Sequence, residues 1–271
     1  MTGTPAEETI LNKEELILDP SLKEIVDAGV FYGRKKSKTH PRMRPFILAT
    51  RNEMEIIDLA KTKHDLAAAL AFITEKIKHG GKLLFVATQP AASSVKELAR
   101  EFHLPAVTER WLGGTLTNFR VIMKRLDYYK KLKSGWASNA FEKYTKKERV
   151  GIERELGNLH ELFADLEPME ELPDVLVVID PQIHTTAIRE ARRLRIPIVA
   201  FANTDSDPDV LDYPVAGNTK ARTAIDWFFG KLREAIREGV AQRTAAAAQA
   251  AAVEREGATI EGPVEGDKVS K

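Results

Sequence analysis

The sequence predicts an α/β fold on a parallel sheet, interrupted by an inserted antiparallel helical hairpin. Three observations carry this. Asp174–Asp180 and Ile196–Ala202 are continuous apolar runs, suited to strands covered on both faces. Helical stretches with a 3.6-residue apolar period alternate with such runs, which is the order of βαβ units. From 110 to 171 the alternation stops, and a heptad-spaced stripe suits two helices packed on each other.

Residues 1–20 are polar and acidic up to about Leu16 and read as a loose N-terminal arm. Ser21 is expected to cap a short helix through Ala28, with Glu24 in the capping-box position and Gly29 as the stop. From Gly33 to Arg51 there are seven positive charges (Arg34, Lys35, Lys36, Lys38, Arg42, Arg44 and Arg51) and no acid. Pro41 and Pro45 keep this stretch out of regular helix, so an extended basic loop is expected.

A short strand at Glu55–Asp58 precedes a helix from about Lys63 to Lys78, whose stripe is Leu66, Leu70, Ile73 and Ile77. His79-Gly80-Gly81 ends it. Lys82–Thr88 is the next strand, Ser93 to Phe102 the next helix, and Pro105-Ala106-Val107 the strand after. Following the insertion, Asp174–Asp180, a helix at Thr185–Leu194, Ile196–Ala202 and a helix from about Ala221 to Arg237 complete the pattern. The α/β domain is therefore discontinuous, 21–109 and 172–240. Beyond about Gln242 the chain is Ala-rich, then contains Gly, Pro and Glu, so a frayed helix leading into a disordered tail is expected over 241–271.

Within the insertion, 110–171, Thr117 is a candidate cap for a helix at Asn118–Lys133, broken by Gly135. A second helix spans Lys146–Leu166, with Ile152, Leu156, Leu159, Phe163 and Leu166 as its seam. Charge is segregated here. Lys124 to Arg149 holds nine bases and three acids, whereas Val150 to Glu171 holds seven acids and one Arg.

The 41 basic and 40 acidic residues of the 271 thus nearly cancel in sum but not in place. The absence of Cys removes disulfides, thiol catalysis and Cys-held metals. The six His are scattered without metal spacing, so no metal site is expected. No apolar run reaches membrane-spanning length, and MTGTPAEETI lacks the flanks of a signal peptide; a soluble, cytoplasmic protein is the default.

Such a sheet invites a nucleotide- or sugar-phosphate-binding enzyme as the alternative reading. Its fingerprints are missing: Gln89-Pro90-Ala91-Ala92 follows the central strand, with neither GxGxxG nor a P-loop, and GxSxG is also absent. Gly113-Gly114-Thr115 is either a tight turn or a set of amides able to hold one phosphate. Asp205, Asp207 and Asp209 resemble a cation loop, but Pro208 and the lack of the loop's Gly favour an Asx-rich turn.

Six ordered strings resemble the ribosomal protein S2 family, from about Ile25 to Phe229. They are Ala28-Gly29-Val30 with Pro41-Arg42-Met43-Arg44-Pro45, Ile56-Ile57-Asp58-Leu59, the run Arg110 to Phe119, Val178-Ile179-Asp180-Pro181, Ile196 to Ala200, and Asp212-Tyr213 with Gly217-Asn218. The resemblance implies a flavodoxin-like three-layer domain with a protruding coiled-coil hairpin. It implies a non-enzymatic place on the 30S subunit, bound to 16S ribosomal RNA and helping to hold ribosomal protein S1, with no cofactor. Phe31 and Arg34 stand where the family usually carries His, and Thr219-Lys220 replaces an acidic pair.

For a polyanion partner the basic segment, Arg34, Lys35, Lys36, Lys38, Arg42 and Arg44, is the first candidate, because cations at phosphates supply most affinity. Arg110 and Trp111 follow: Arg can clamp a phosphate, and Trp either stacks on a base or anchors the hairpin base in the core. Asn118 and Arg120, beside Thr117, are placed to touch an RNA backbone.

Overall fold

The computed structural model describes residues 20–260, with side chains from 22 to 249. Two sheets organise it. The smaller is antiparallel, β1 (Tyr32–Lys35), β2 (Ile47–Arg51) and β3 (Met54–Ile57), with β3 central. The larger is parallel, β4 (Leu83–Val86), β5 (Ala106–Val107), β6 (Val175–Ile179), β7 (Ile198–Ala202) and β8 (Tyr213–Ala216), in the order β5-β4-β6-β7-β8. Numbered along the chain, that is 2-1-3-4-5, the flavodoxin-like order.

The helices are α1 (Pro20–Asp27), α2 (Leu59–Lys78), α3 (Ser94–Glu101), α4 (Phe119–Ala137), α5 (Lys146–Phe163), α6 (Thr185–Arg193) and α7 (Arg222–Ile260). Strand periodicity sorts the core into two halves. Phe85, Val177, Val199 and Phe201 face α1, α2, α3 and α7, whereas Leu84, Val86, Leu176 and Val178 face α4, α5 and α6. Every residue of β4, β6 and β7 is buried, which is why these strands read as unbroken apolar runs. The Phe201 and Phe228 rings stack at 4.8 Å and tie β7 to α7; such a pair contributes ~0.5–1.5 kcal/mol beyond its buried area. Met43, Phe46, Ile57 and Ala216 form a third, small cluster that fastens the antiparallel sheet to β8.

Several boundaries differ from expectation. The first helix begins at Pro20, so Ser21 lies inside it rather than at its cap. Proline suits that first helical position, since it needs no N–H partner there. α2 starts at Leu59, four residues ahead of Lys63, because the Asp58 carboxylate accepts the amides of Ala60 (3.0 Å) and Lys61 (3.3 Å). α4 passes through Gly135 to Ala137, and the Phe141 ring packs over that glycine. α5 closes with a 3₁₀ turn at Ala164–Leu166. β8 adds a strand beyond the expected pattern: Pro214 removes a ladder donor, which the edge position tolerates. α7 continues to Ile260, past the expected tail boundary at 241, in keeping with the helix propensity of its alanines. The arm at 1–19 and the residues 261–271 lie outside the described residues.

Of the expected α4–α5 seam, Leu159, Phe163 and Leu166 are buried with Leu126 and Tyr129, while Ile152 and Leu156 are half-buried. Tyr128 donates to Glu155 at 3.1 Å, and the Tyr129 hydroxyl lies 2.8 Å from His160 Nδ1. The two helices thus share one core with the sheet face below them.

Candidate nucleic-acid interface

The basic stretch is not an extended loop. It leaves β1, makes 3₁₀ turns at Lys36–Lys38 and Pro41–Phe46, and returns as β2, because β3 offers both strands a ladder. Met43 and Phe46 point inward and fix the second turn. Gly33 lets the strand approach closely, since a Cβ there would lie 2.8 Å from both the Glu55 carbonyl oxygen and Thr204 Cγ2.

Nor is the stretch free of acids in space. The loop after β7 brings them from more than 160 residues away. Arg34 Nε bonds Asp205 at 2.9 Å, and the Arg34 amide donates to the Thr204 hydroxyl at 2.8 Å. Arg42 reaches Asp207 at 3.1 Å and Asp209 at 3.0 Å. The Asp207 carboxylate also accepts the Asp209 amide at 3.1 Å, the turn expected of NTDSDPD. These exposed pairs on Arg42 add little stability but orient the loop. Among the described residues Lys35, Lys36, Lys38 and Arg44 are exposed and make no ion pair. Of the six cations expected to act together, four are unpaired there and two are engaged internally.

The second candidate region is organised by a residue that sequence reasoning missed. Glu190, buried on α6, accepts Trp111 Nε1 (3.0 Å), the amides of Gly114 (2.8 Å), Leu116 (3.0 Å) and Thr117 (3.1 Å), and the Thr117 hydroxyl (3.1 Å). Burial pushes the Glu190 carboxyl up, but those donors outweigh it and hold the group below the usual carboxylate range. Of the Gly113-Gly114-Thr115 amides considered for a phosphate, that of Gly114 is committed to this carboxylate and that of Thr115 to the Leu112 carbonyl at 3.0 Å. Trp111 is half-buried against the core, and its N–H is donated to Glu190. Thr117 is not the cap of α4; Asn118 holds that position without a side-chain bond. Arg110, Asn118 and Arg120 are exposed, and Arg110 and Arg120 make no ion pair among the described residues. Along α4, Lys124, Arg125 and Lys131 are exposed beside Val121 and Tyr128, whereas Lys133 is taken by Glu167 at 2.7 Å.

At the carboxyl ends of the parallel strands, Asp180 is buried with φ +60°, and accepts Lys220 Nζ at 2.7 Å and the Thr219 hydroxyl at 3.3 Å. Beside it, burial pushes the His184 imidazole down to about 4, with Asp180 opposing and Lys220 reinforcing the change. No cluster of three or more metal-ligand side chains forms among the described residues. No described helix is long and apolar enough to cross a membrane.

Fold and site together define a three-layer α/β protein that displays fixed cations at the carboxyl edge of its sheet. The chain belongs to the ribosomal protein S2 family, whose model matches residues 25–239. It is 40% identical to the small ribosomal subunit protein uS2 of Coprothermobacter proteolyticus over 81% of this chain and 82% of that one. With the uS2 protein of Desulfovibrio desulfuricans the identity is 40% over 82% and 86%, and with that of Solidesulfovibrio magneticus 39% over the same shares.

The Asp205–Asp209 loop is legible in sequence as a turn but not as the partner of Arg34 and Arg42. Lys220 stands out in sequence only as a departure from the family pattern. For Glu190, the one acid in TTAIREARR, spacing carries no signal beyond its isolation among arginines.

Proposed function

We propose that this chain is a structural, non-enzymatic constituent of the small ribosomal subunit, that it binds 16S ribosomal RNA, and that it helps hold ribosomal protein S1 there. Membership of the S2 family supports the subunit, the RNA and the location on cytoplasmic ribosomes. The observation that carries the RNA contact is the set Lys35, Lys36, Lys38 and Arg44: exposed, unpaired among the described residues, and mounted on a folded segment rather than a loose loop. Pre-ordered cations lose little entropy on docking and release counterions from phosphates. Arg110, Asn118 and Arg120, exposed just before and at the start of α4, offer a second contact.

We further read residues 110–171 as an insertion projecting from the α/β domain (21–109 and 172–240), its helices α4 and α5 paired as an antiparallel coiled coil. Its exposed basic residues, Lys143, Lys146 and Lys147 among them, then face neighbouring RNA or protein. The test is reconstitution. The purified chain should co-sediment with 30S particles lacking their own S2 protein, and should restore their retention of protein S1. Particles that neither take up the chain nor retain S1 would refute the reading.

A further inference from the structure

Where the basic segment meets the strand ends it closes over a cavity of about 380 Å³. Tyr32, Arg34, Lys35 and Lys38 form one wall; Asn203, Asn218 and Lys220, just beyond β7 and β8, form the other. The crevice outside the carboxyl ends of an open parallel sheet is its usual ligand position, and the volume lies within the range of small-ligand sites. Four cations line this space. Asp205 offsets Arg34 at 2.9 Å and Asp180 offsets Lys220 at 2.7 Å, which leaves Lys35 and Lys38 uncompensated among the described residues.

The walls are more than charge. Tyr32 is 49% exposed, and the Phe31 ring backs it at 4.1 Å between centroids. Asn203 Oδ1 accepts the Thr204 amide at 2.8 Å, and Asn218 Oδ1 accepts the Lys220 amide at 3.0 Å, so both side-chain amides are fixed in place. A duplex backbone needs only surface cations; a supported aromatic ring beside cations and amides suits an unstacked base and its phosphate. The geometry points to a single unpaired ribonucleotide of an RNA chain as the occupant, its phosphate among Lys35, Lys38 and Lys220 and its base on Tyr32. This inference rests on the RNA-binding reading above and assigns it a single-strand specificity.

The test uses the full chain and a single-stranded RNA nonamer with a central 2-aminopurine, alone or annealed to its complement. The probe fluorescence of the single strand should change on binding. Tyr32→Ala should weaken single-strand binding about fivefold or more, the range of base–aromatic stacking, and leave duplex binding unchanged. Tyr32→Phe should retain it, and Lys38→Gln should weaken it. Tyr32 and Lys38 are both exposed, and circular dichroism checks that the variants fold. Equal loss for single strand and duplex, or no loss in Tyr32→Ala while salt-sensitive RNA binding persists, overturns the pocket and leaves the surface reading intact. No binding to either RNA overturns both. Displacement of the nonamer by micromolar adenosine monophosphate overturns the assignment to an RNA chain in favour of a free nucleotide.

Discussion

The Trp111 indole donates its Nε1–H to the Glu190 carboxylate at 3.0 Å, across 79 positions of sequence. The same carboxylate gathers three backbone amides and a hydroxyl, so it orders the whole approach to α4. Replacing it by Ala leaves buried donors without an acceptor. Glu190→Ala should cost ~3–5 kcal/mol, read as a lowered denaturant midpoint with loss of Trp111 fluorescence order. Its folded pKa is lowered, so its contribution is present above the ordinary carboxylate range and is lost as pH falls through it. Glu190→Gln should therefore be less stable at neutral pH and show a flatter acid limb.

His184 sets a second, separate pH dependence. Its folded pKa is about 4 against an ordinary 6.5, so the unfolded chain binds the proton first. Its contribution is complete above pH 6.5 and declines as pH falls toward 4. About two and a half decades at ~1.36 kcal/mol each give a loss of ~3 kcal/mol. His184→Asn should remove that decline, as followed by urea midpoints between about pH 7 and 4; an unchanged slope would show that the imidazole is not the titrating group.

Gly33 joins the small sheet to the loop after β7 through an approach only glycine permits. Gly33→Ala places its new methyl 2.8 Å from a backbone oxygen and from Thr204 Cγ2. Overpacking of this kind costs ~1–3 kcal/mol. The variant should melt earlier and bind RNA more weakly, because the strand that mounts Lys35 is pushed away from the loop after β7.

Lys36 and Arg44 are exposed and unpaired among the described residues, so neutralising them tests binding without disturbing the fold. Removing one phosphate-binding cation should reduce the slope of log K against log salt by ~0.7–0.9. Lys36→Gln with Arg44→Gln should leave the thermal midpoint within ~1 °C, since exposed unpaired cations contribute little to stability, and flatten the salt dependence of RNA binding. An unchanged slope removes these two residues from the interface. Arg42→Gln is a sharper control, because Arg42 already spends its charge on Asp207 and Asp209.

The central strands were legible because burial on both faces leaves an unbroken apolar run, as in β6 and β7. β1 and β2 were not: Gly33, Arg34 and Lys35 occupy a short strand whose pairing depends on β3, and pairing partners are not written into local composition. The basic cluster was legible as charge. The pairing of Arg34 and Arg42 with Asp205, Asp207 and Asp209 was not, because it depends on where β7 ends. Glu190 was invisible for the same reason: its meaning lies in donors 73 to 79 positions away. What sequence periodicity reports is which face is buried; which polar groups meet across the fold is a property of topology.

The adjacency of β4 and β6 has a consequence for how the chain is made. Leu83 pairs with Val175, so the helices of the intervening segment leave the ribosome before the central ladder can form. At about 5–20 residues per second, β4 waits roughly 5–18 s for its neighbour. The clamp on Arg34 comes later still, with Asp205. During synthesis the cations of the basic segment are therefore exposed before the acids that restrain two of them exist.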